Sequence, residues 1–144
     1  MTSERLLQRD EQRRAEVLAL LAAGQLRTGH DFFCAAVVFH HGQTLDHYRM
    51  ATSLAWMGMT LDPSNKDHLY MVASSWDRFM MKQNKPQWYG TKCVYESGRP
   101  TVLYPVDEDA VTDEDRARFD LKPLAVMRSQ LGAPIRLSGG TSTC

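Results

Sequence analysis

Two short segments of this 144-residue chain gather the side chains able to move protons or hold charge, His40–Asp46 and Asp77–Lys92. His40 and His41 close a run that is otherwise apolar. At a spacing of four, Phe32, Ala36 and His40 share one stripe of a helix, and Phe33, Val37 and His41 share the next. Each stripe ends in a histidine in its last turn. That puts the pair at the rim of a core, near the negative end of the helix dipole. An imidazole there suits general acid–base work. A C-terminal cap, with histidine bonding a free carbonyl, accounts for it as well.

Asp77 follows Ala73 by four, on the flank of an apolar helix face traced by Leu69, Val72, Ala73, Trp76 and Met80. A carboxylate there needs a partner, because unpaired burial is costly. The partner is either a catalytic histidine whose tautomer it fixes, or a cation in a salt bridge that clamps the hairpin or another helix. Arg78 lies on the adjacent stripe with Met71, Ser74 and Met81. Beyond the break at Asn84-Lys85-Pro86, Gln87 and Tyr89 carry neutral donors and acceptors suited to orienting a ligand. Gly90 marks a turn or a close backbone approach. Strand alternation puts Tyr89, Thr91, Cys93 and Tyr95 on one face and Lys92, Val94 and Glu96 on the other. The plain alternative is a well-packed connection.

These placements predict one pocket in which His41, Asp77, Tyr89 and His40 are catalytic. Gln87, Lys92, Arg78, Trp88 and Asp46 then contact the substrate, and Trp56 and Trp76 supply apolar wall. Such a set suits proton transfer, cyclisation, elimination or hydrolysis on a small organic molecule, with Tyr89, Gln87 or Lys92 steadying an oxyanion or enolate. The rival functions are a non-catalytic small-ligand-binding module and a protein-interaction module whose polar network is structural.

The elements that must position these residues are mostly helical. The periodicity predicts helices over Glu4–Ala23, from near Asp31 to His41, over Leu45–Met59, and from Ser64 or Asn65 to about Gln83. In the first, Val17, Leu18, Leu20 and Leu21 gather on one side. The period then switches. Thr91–Glu96 and Thr101–Val106 are β-rich and flank Ser97-Gly98-Arg99-Pro100, which reads as a hairpin. Short helices follow over Asp113–Phe119, opened by Thr112 with Asp115, and from Pro123 to Leu131. The expected fold is therefore mainly α, a small helical domain with one β-hairpin. Residues 1–137 form a single domain and 138–144 a flexible tail, with no internal repeat or dividing linker.

Composition narrows the function classes. Formal net charge is +0, with 17 basic and 17 acidic side chains, so a nucleic-acid partner is not expected. No apolar run approaches a membrane span. The five histidines show no metal-ligand spacing, and no phosphate loop or dinucleotide fingerprint is present, so neither metal nor cofactor is expected. The N-terminal residues lack a basic-then-apolar signal pattern. The three cysteines, Cys34, Cys93 and Cys144, have no CxxC spacing, which fits free thiols in the cytoplasm. The pattern sets no oligomeric state.

Taken in order, His41-Gly42, Asp46 with Tyr48, Asp77-Arg78 and Lys85-Pro86-Gln87-Trp88-Tyr89-Gly90-Thr91 resemble the family labelled domain of unknown function 6624. Its members typically show Gln-His-Gly or Gln-His-Ala, an Asp-Arg pair and Pro-Gln-x-Tyr-Gly-Thr-Gln before a hairpin. The resemblance covers about Phe32 to Leu131, including Leu121-Lys122-Pro123-Leu124. It implies a mainly helical domain with a small hairpin and supplies no reaction. Two departures matter. His40 stands where the family has Gln, and Lys92 stands where the family has the Gln after Gly-Thr. Neutral amides have become titratable or cationic groups, so the resemblance implies a site of different electrostatics.

Overall fold

The computed structural model describes residues 3–131. Four helices come first: α1 Ser3–Ala22, α2 Gly29–His40, α3 Leu45–Leu61 and α4 Lys66–Lys82. A two-stranded antiparallel hairpin follows, β1 Cys93–Val94 with β2 Val102–Leu103, then the short helices α5 Asp113–Arg118 and α6 Leu124–Ser129. The chain is thus mainly α with one small hairpin, as the periodicity predicts. The expected tail, 138–144, lies outside the described residues. No described helix is long and apolar enough to cross a membrane.

Each boundary has a local cause. Gly24, at φ +66°, ends α1 in the left-handed region that glycine adopts without strain. α2 begins two residues before Asp31, because Thr28 and Asp31 form a reciprocal capping box. Three backbone and hydroxyl contacts at that box hold the Asp31 carboxyl below its ordinary range. Thr44 caps α3, and Asn65 rather than Ser64 caps α4. Thr112 and Asp115 make a full capping box on α5.

α2, α3 and α4 build the core from Phe32, Ala36, Leu54, Val72 and their neighbours, and Phe119 closes one side. α2 and α3 cross almost backbone to backbone. A Cβ at Gly58 lies 3.0 Å from the Gly29 carbonyl and 3.2 Å from the Phe33 nitrogen. Two expected faces shift. On α1, Val17 and Leu21 pack on the core, whereas Leu18 and Leu20 are exposed, because only the first two share a stripe at i, i+4. On α4 the buried set is His68, Met71 to Ser75 and Asp77, so the face is rotated and Asp77 lies within it.

The hairpin ladder is shorter than expected, two residues on each strand. The alternation drawn from Tyr89 to Tyr95 therefore does not hold above Lys92. Asp77 draws the backbone off its extended path there.

Candidate functional site

Asp77 is fully buried and organises the segment that follows α4. Its Oδ1 accepts from the backbone N–H groups of Trp88 and Tyr89, each at 2.9 Å. Its Oδ2 accepts from the Thr91 N–H at 2.9 Å and the Thr91 hydroxyl at 2.8 Å. A carboxylate offers about four lone-pair sites, and these contacts fill them. The expected clamp exists, but neutral donors make it and no cation pairs with Asp77. The expected contact of Asp77 with His41 is absent among the described hydrogen bonds, and its oxygens are already occupied.

Gln87, also fully buried, holds the next residue that matters. Its Oε1 accepts from the Lys92 N–H at 2.8 Å. Its Nε2 donates to the Lys92 carbonyl at 2.9 Å and the Tyr104 carbonyl at 2.7 Å. Gln87 backbone groups bond Pro105 and Asp107. All the polar atoms of its amide are engaged with backbone, which leaves it no free hand for a ligand.

Tyr89 and Trp88, expected to meet substrate, are turned towards packing. The Tyr89 ring stands edge-on to Phe119 with centroids 5.1 Å apart, beside a cavity it shares with Trp56 and Met59. Burial holds its hydroxyl above the ordinary tyrosine range. Trp88 packs on Trp76 at 4.7 Å. The carbonyls of Trp88 and Tyr89 accept from Arg116, which is 2 % exposed and also bonds Asp113 and Val111. The sequence reading missed Arg116, because a cation inside a charged helix start, Asp113-Glu114-Asp115, resembles a solvated face.

What converges instead is a basic cluster between α2, α4 and β1. The Lys92 ammonium donates to the Ser74 hydroxyl at 2.6 Å, and its Nζ lies 3.5 Å from His40 Nε2. Burial and the nearby Arg78 charge lower the Lys92 pKa to about 8. Burial, with Lys92 and Arg78 beside it, pushes His40 down to about 2, so its ring is neutral. His40 Nδ1 and Arg78 Nε are both buried without a hydrogen-bond partner. Burial raises the Tyr70 hydroxyl as well, with the Ser74 hydroxyl opposing. No carboxylate lies within ion-pair distance of Lys92 or Arg78 among the described residues, and the buried Asp77 charge opposes the fall in the Lys92 pKa from further off. Ser74 carries the signal that sequence reading passed over: it shares the Arg78 stripe and is the polar member of a buried turn.

His41 lies at the outer edge of this cluster. It is exposed, its ring meets His40 edge-on at 5.7 Å, and it lines a cavity of about 630 Å³ between α1 and α2 with Asp10, Arg13 and Leu26. Burial and the Arg78 charge hold it below the ordinary histidine range, with Asp10 opposing. Asp77 and Tyr89 are not among the residues lining that cavity, so the structure divides the expected pocket into two places. Asp46 is remote in character too: its side chain is 84 % exposed and pairs with Arg49 at 2.8 Å.

Among the described residues no three His, Cys, Asp or Glu side chains gather at metal-ligating distance. Cys93 is a free thiol, whereas Cys34 is disulfide-bonded, a correction to the expectation of free thiols. No family model, curated protein or solved structure matches the chain.

Proposed function

We propose that this protein binds a small anionic molecule at the Lys92–Arg78–His40 cluster and performs cofactor-independent acid–base chemistry on it. One observation carries the reading. The partly buried Lys92 ammonium bonds only the neutral Ser74 and His40, with Asp77, whose oxygens are already filled by other donors, as the strongest favourable charge acting on it, and Arg78 Nε and His40 Nδ1 are buried beside it without a hydrogen-bond partner. Buried charge is stable in proteins when it is paired, so the missing partner is an anion supplied from outside. A carboxylate or phosphate offers acceptor oxygens to the Lys92 ammonium, the Arg78 guanidinium and the orphaned donors.

The proton carrier in this arrangement is Lys92 rather than His41. A group titrating near 8 exchanges protons close to neutral pH. His40 stays neutral and orients or polarises. The Ser74 hydroxyl bonds the same amine, and Tyr70 neighbours Ser74. Membership of the domain of unknown function 6624 family, a cytoplasmic setting, and a small molecule rather than nucleic acid as partner belong to the same proposal. The family part rests on the quoted motifs alone.

The test is a thermal-shift titration with small carboxylates and inorganic phosphate. A ligand at a hundred times its Kd adds about 2.7 kcal/mol of stability. The expected result is a concentration-dependent rise in Tm that disappears in Lys92→Met and persists in Lys85→Met. An equal rise in both variants, or none in the unmodified protein, rejects the reading. A protein-interaction module has one observation in its favour, the exposed leucines Leu6, Leu7, Leu18 and Leu20 along α1.

A further inference from the structure

The Lys92 side chain has the surroundings of a reactive amine and not those of a salt bridge. Its backbone is pinned on both sides by the Gln87 amide. Its Nζ is fixed by Ser74 and faces His40. A lysine held this firmly against neutral groups gives up the entropy and hydration that an ordinary surface lysine keeps. Arg78 lies one helical turn after Ser74 on α4, on the stripe that carries the Lys92 contact, and its Nε is buried without a hydrogen-bond partner, so its guanidinium borders the same site.

From this geometry we infer that Lys92 is an imine-forming lysine whose Nζ adds to the carbonyl of a small 2-oxo acid, with Arg78 holding the carboxylate. This rests on the anion site proposed above and names its substrate class. The chemistry balances within the site and water. The neutral amine attacks the carbonyl carbon, a C–N bond forms, and the carbonyl oxygen takes a proton to give a carbinolamine. Loss of that oxygen as water leaves the imine, so amine plus 2-oxo acid becomes imine plus water. Ser74 and neutral His40 are the groups placed to pass the protons. The imine then serves as an electron sink for removing a proton or a carboxylate from the neighbouring carbon.

The amine must be unprotonated to attack, and here the depressed pKa supports the geometry. Against an ordinary lysine at 10.5, a value near 8 raises the free-amine fraction at neutral pH roughly 300-fold. The other four lysines, Lys66, Lys82, Lys85 and Lys122, are exposed and serve as internal controls.

The experiment is borohydride trapping of the full-length protein with pyruvate at neutral pH, read by intact mass and peptide mapping. Hydride adds to an imine carbon and makes the link permanent. The expected result is one reduced adduct, on Lys92, formed at least tenfold faster than on any other lysine. Unfolding in urea should erase that selectivity. Arg78→Gln, which keeps Lys92, should label no faster with pyruvate than with acetone. Ser74→Ala should slow trapping while the protein stays folded. Labelling spread evenly over the five lysines, or absent from Lys92, overturns the inference. If pyruvate raises the Tm through Lys92 but no adduct is trapped, the anion site stands and the imine fails. If it does neither, both fail.

Discussion

The side-chain amide of Gln87 grips both backbone polar groups of Lys92, accepting from its N–H at 2.8 Å and donating to its carbonyl at 2.9 Å. A residue held this way has its main chain fixed before its side chain is considered. The Nζ contacts to Ser74 and His40 then follow from a short reach off a rigid mount. Preorganisation of this kind is what binding and catalytic sites require.

Asp77→Asn removes the charge on which four donors converge and turns an amide N–H₂ towards other N–H groups. Hydrogen bonds to charged groups contribute more than neutral ones, so the loss is about 3 kcal/mol. For a domain of this size that lowers Tm by about 10 °C. Calorimetry checks it. A variant that melts with the unmodified protein shows that the Trp88–Thr91 loop is held by other means.

Lys92→Met separates a structural lysine from a functional one. Met matches the stem and removes a partly buried charge that has no carboxylate in ion-pair contact with it. Replacing such a charge by an apolar group is often neutral or stabilising by ~1 kcal/mol or more. The expected urea midpoint is therefore unchanged or higher, with the ligand-induced shift gone. A large fall in the midpoint identifies Lys92 as a fold-holding residue.

The two largest shifts act on the pH dependence of stability with the same sign, and the raised Tyr70, Tyr89 and Cys93 oppose Lys92 at alkaline pH. His40 titrates near 6.5 when unfolded and at about 2 when folded. Between those values the unfolded chain carries more protons, so stability is full above pH 6.5 and declines as pH falls through that window. The slope approaches at most about 1.4 kcal/mol per pH unit, and His40→Gln should flatten it. Lys92 titrates at 10.5 unfolded and about 8 folded, so stability rises between pH 8 and 10.5. Lys92→Met should lose that rise. Urea unfolding at stepped pH measures both windows.

Gly58→Ala tests the α2–α3 crossing. Alanine favours a helix by about 1 kcal/mol over glycine. Its methyl group, however, meets the Gly29 carbonyl at 3.0 Å and the Phe33 nitrogen at 3.2 Å, and backbone cannot rotate aside. Overpacking costs ~1–3 kcal/mol, so a net loss of stability is expected in denaturant titration. A gain shows that the helices can separate freely.

Much of the scaffold was legible because it depends on local rules. Thr44, Asn65 and Thr112 with Asp115 mark helix starts by chemistry confined to one turn. That Asp77 flanks a buried stripe was legible too, and with it the need for a partner. The identity of that partner was not, since four donors from a loop eleven to fourteen residues away carry no mark in the sequence. The same holds for Gln87, whose amide resembles a ligand-orienting group until Lys92 and Tyr104 are seen to fill it. Strand alternation misplaced Lys92 opposite Tyr89 because the pairing begins only at Cys93. Ser74 and Lys92, eighteen residues apart, meet through tertiary folding alone.

The bonds from Gln87 to Tyr104, Pro105 and Asp107 also fix an order of assembly. During synthesis α2, α3 and α4 are complete before these partners exist, and their apolar faces can associate at once. The loop that carries Lys92 has nothing to close against until the chain has been extended past Asp107. The contacts that hold the Lys92 backbone are therefore incomplete in any nascent chain that ends before Tyr104.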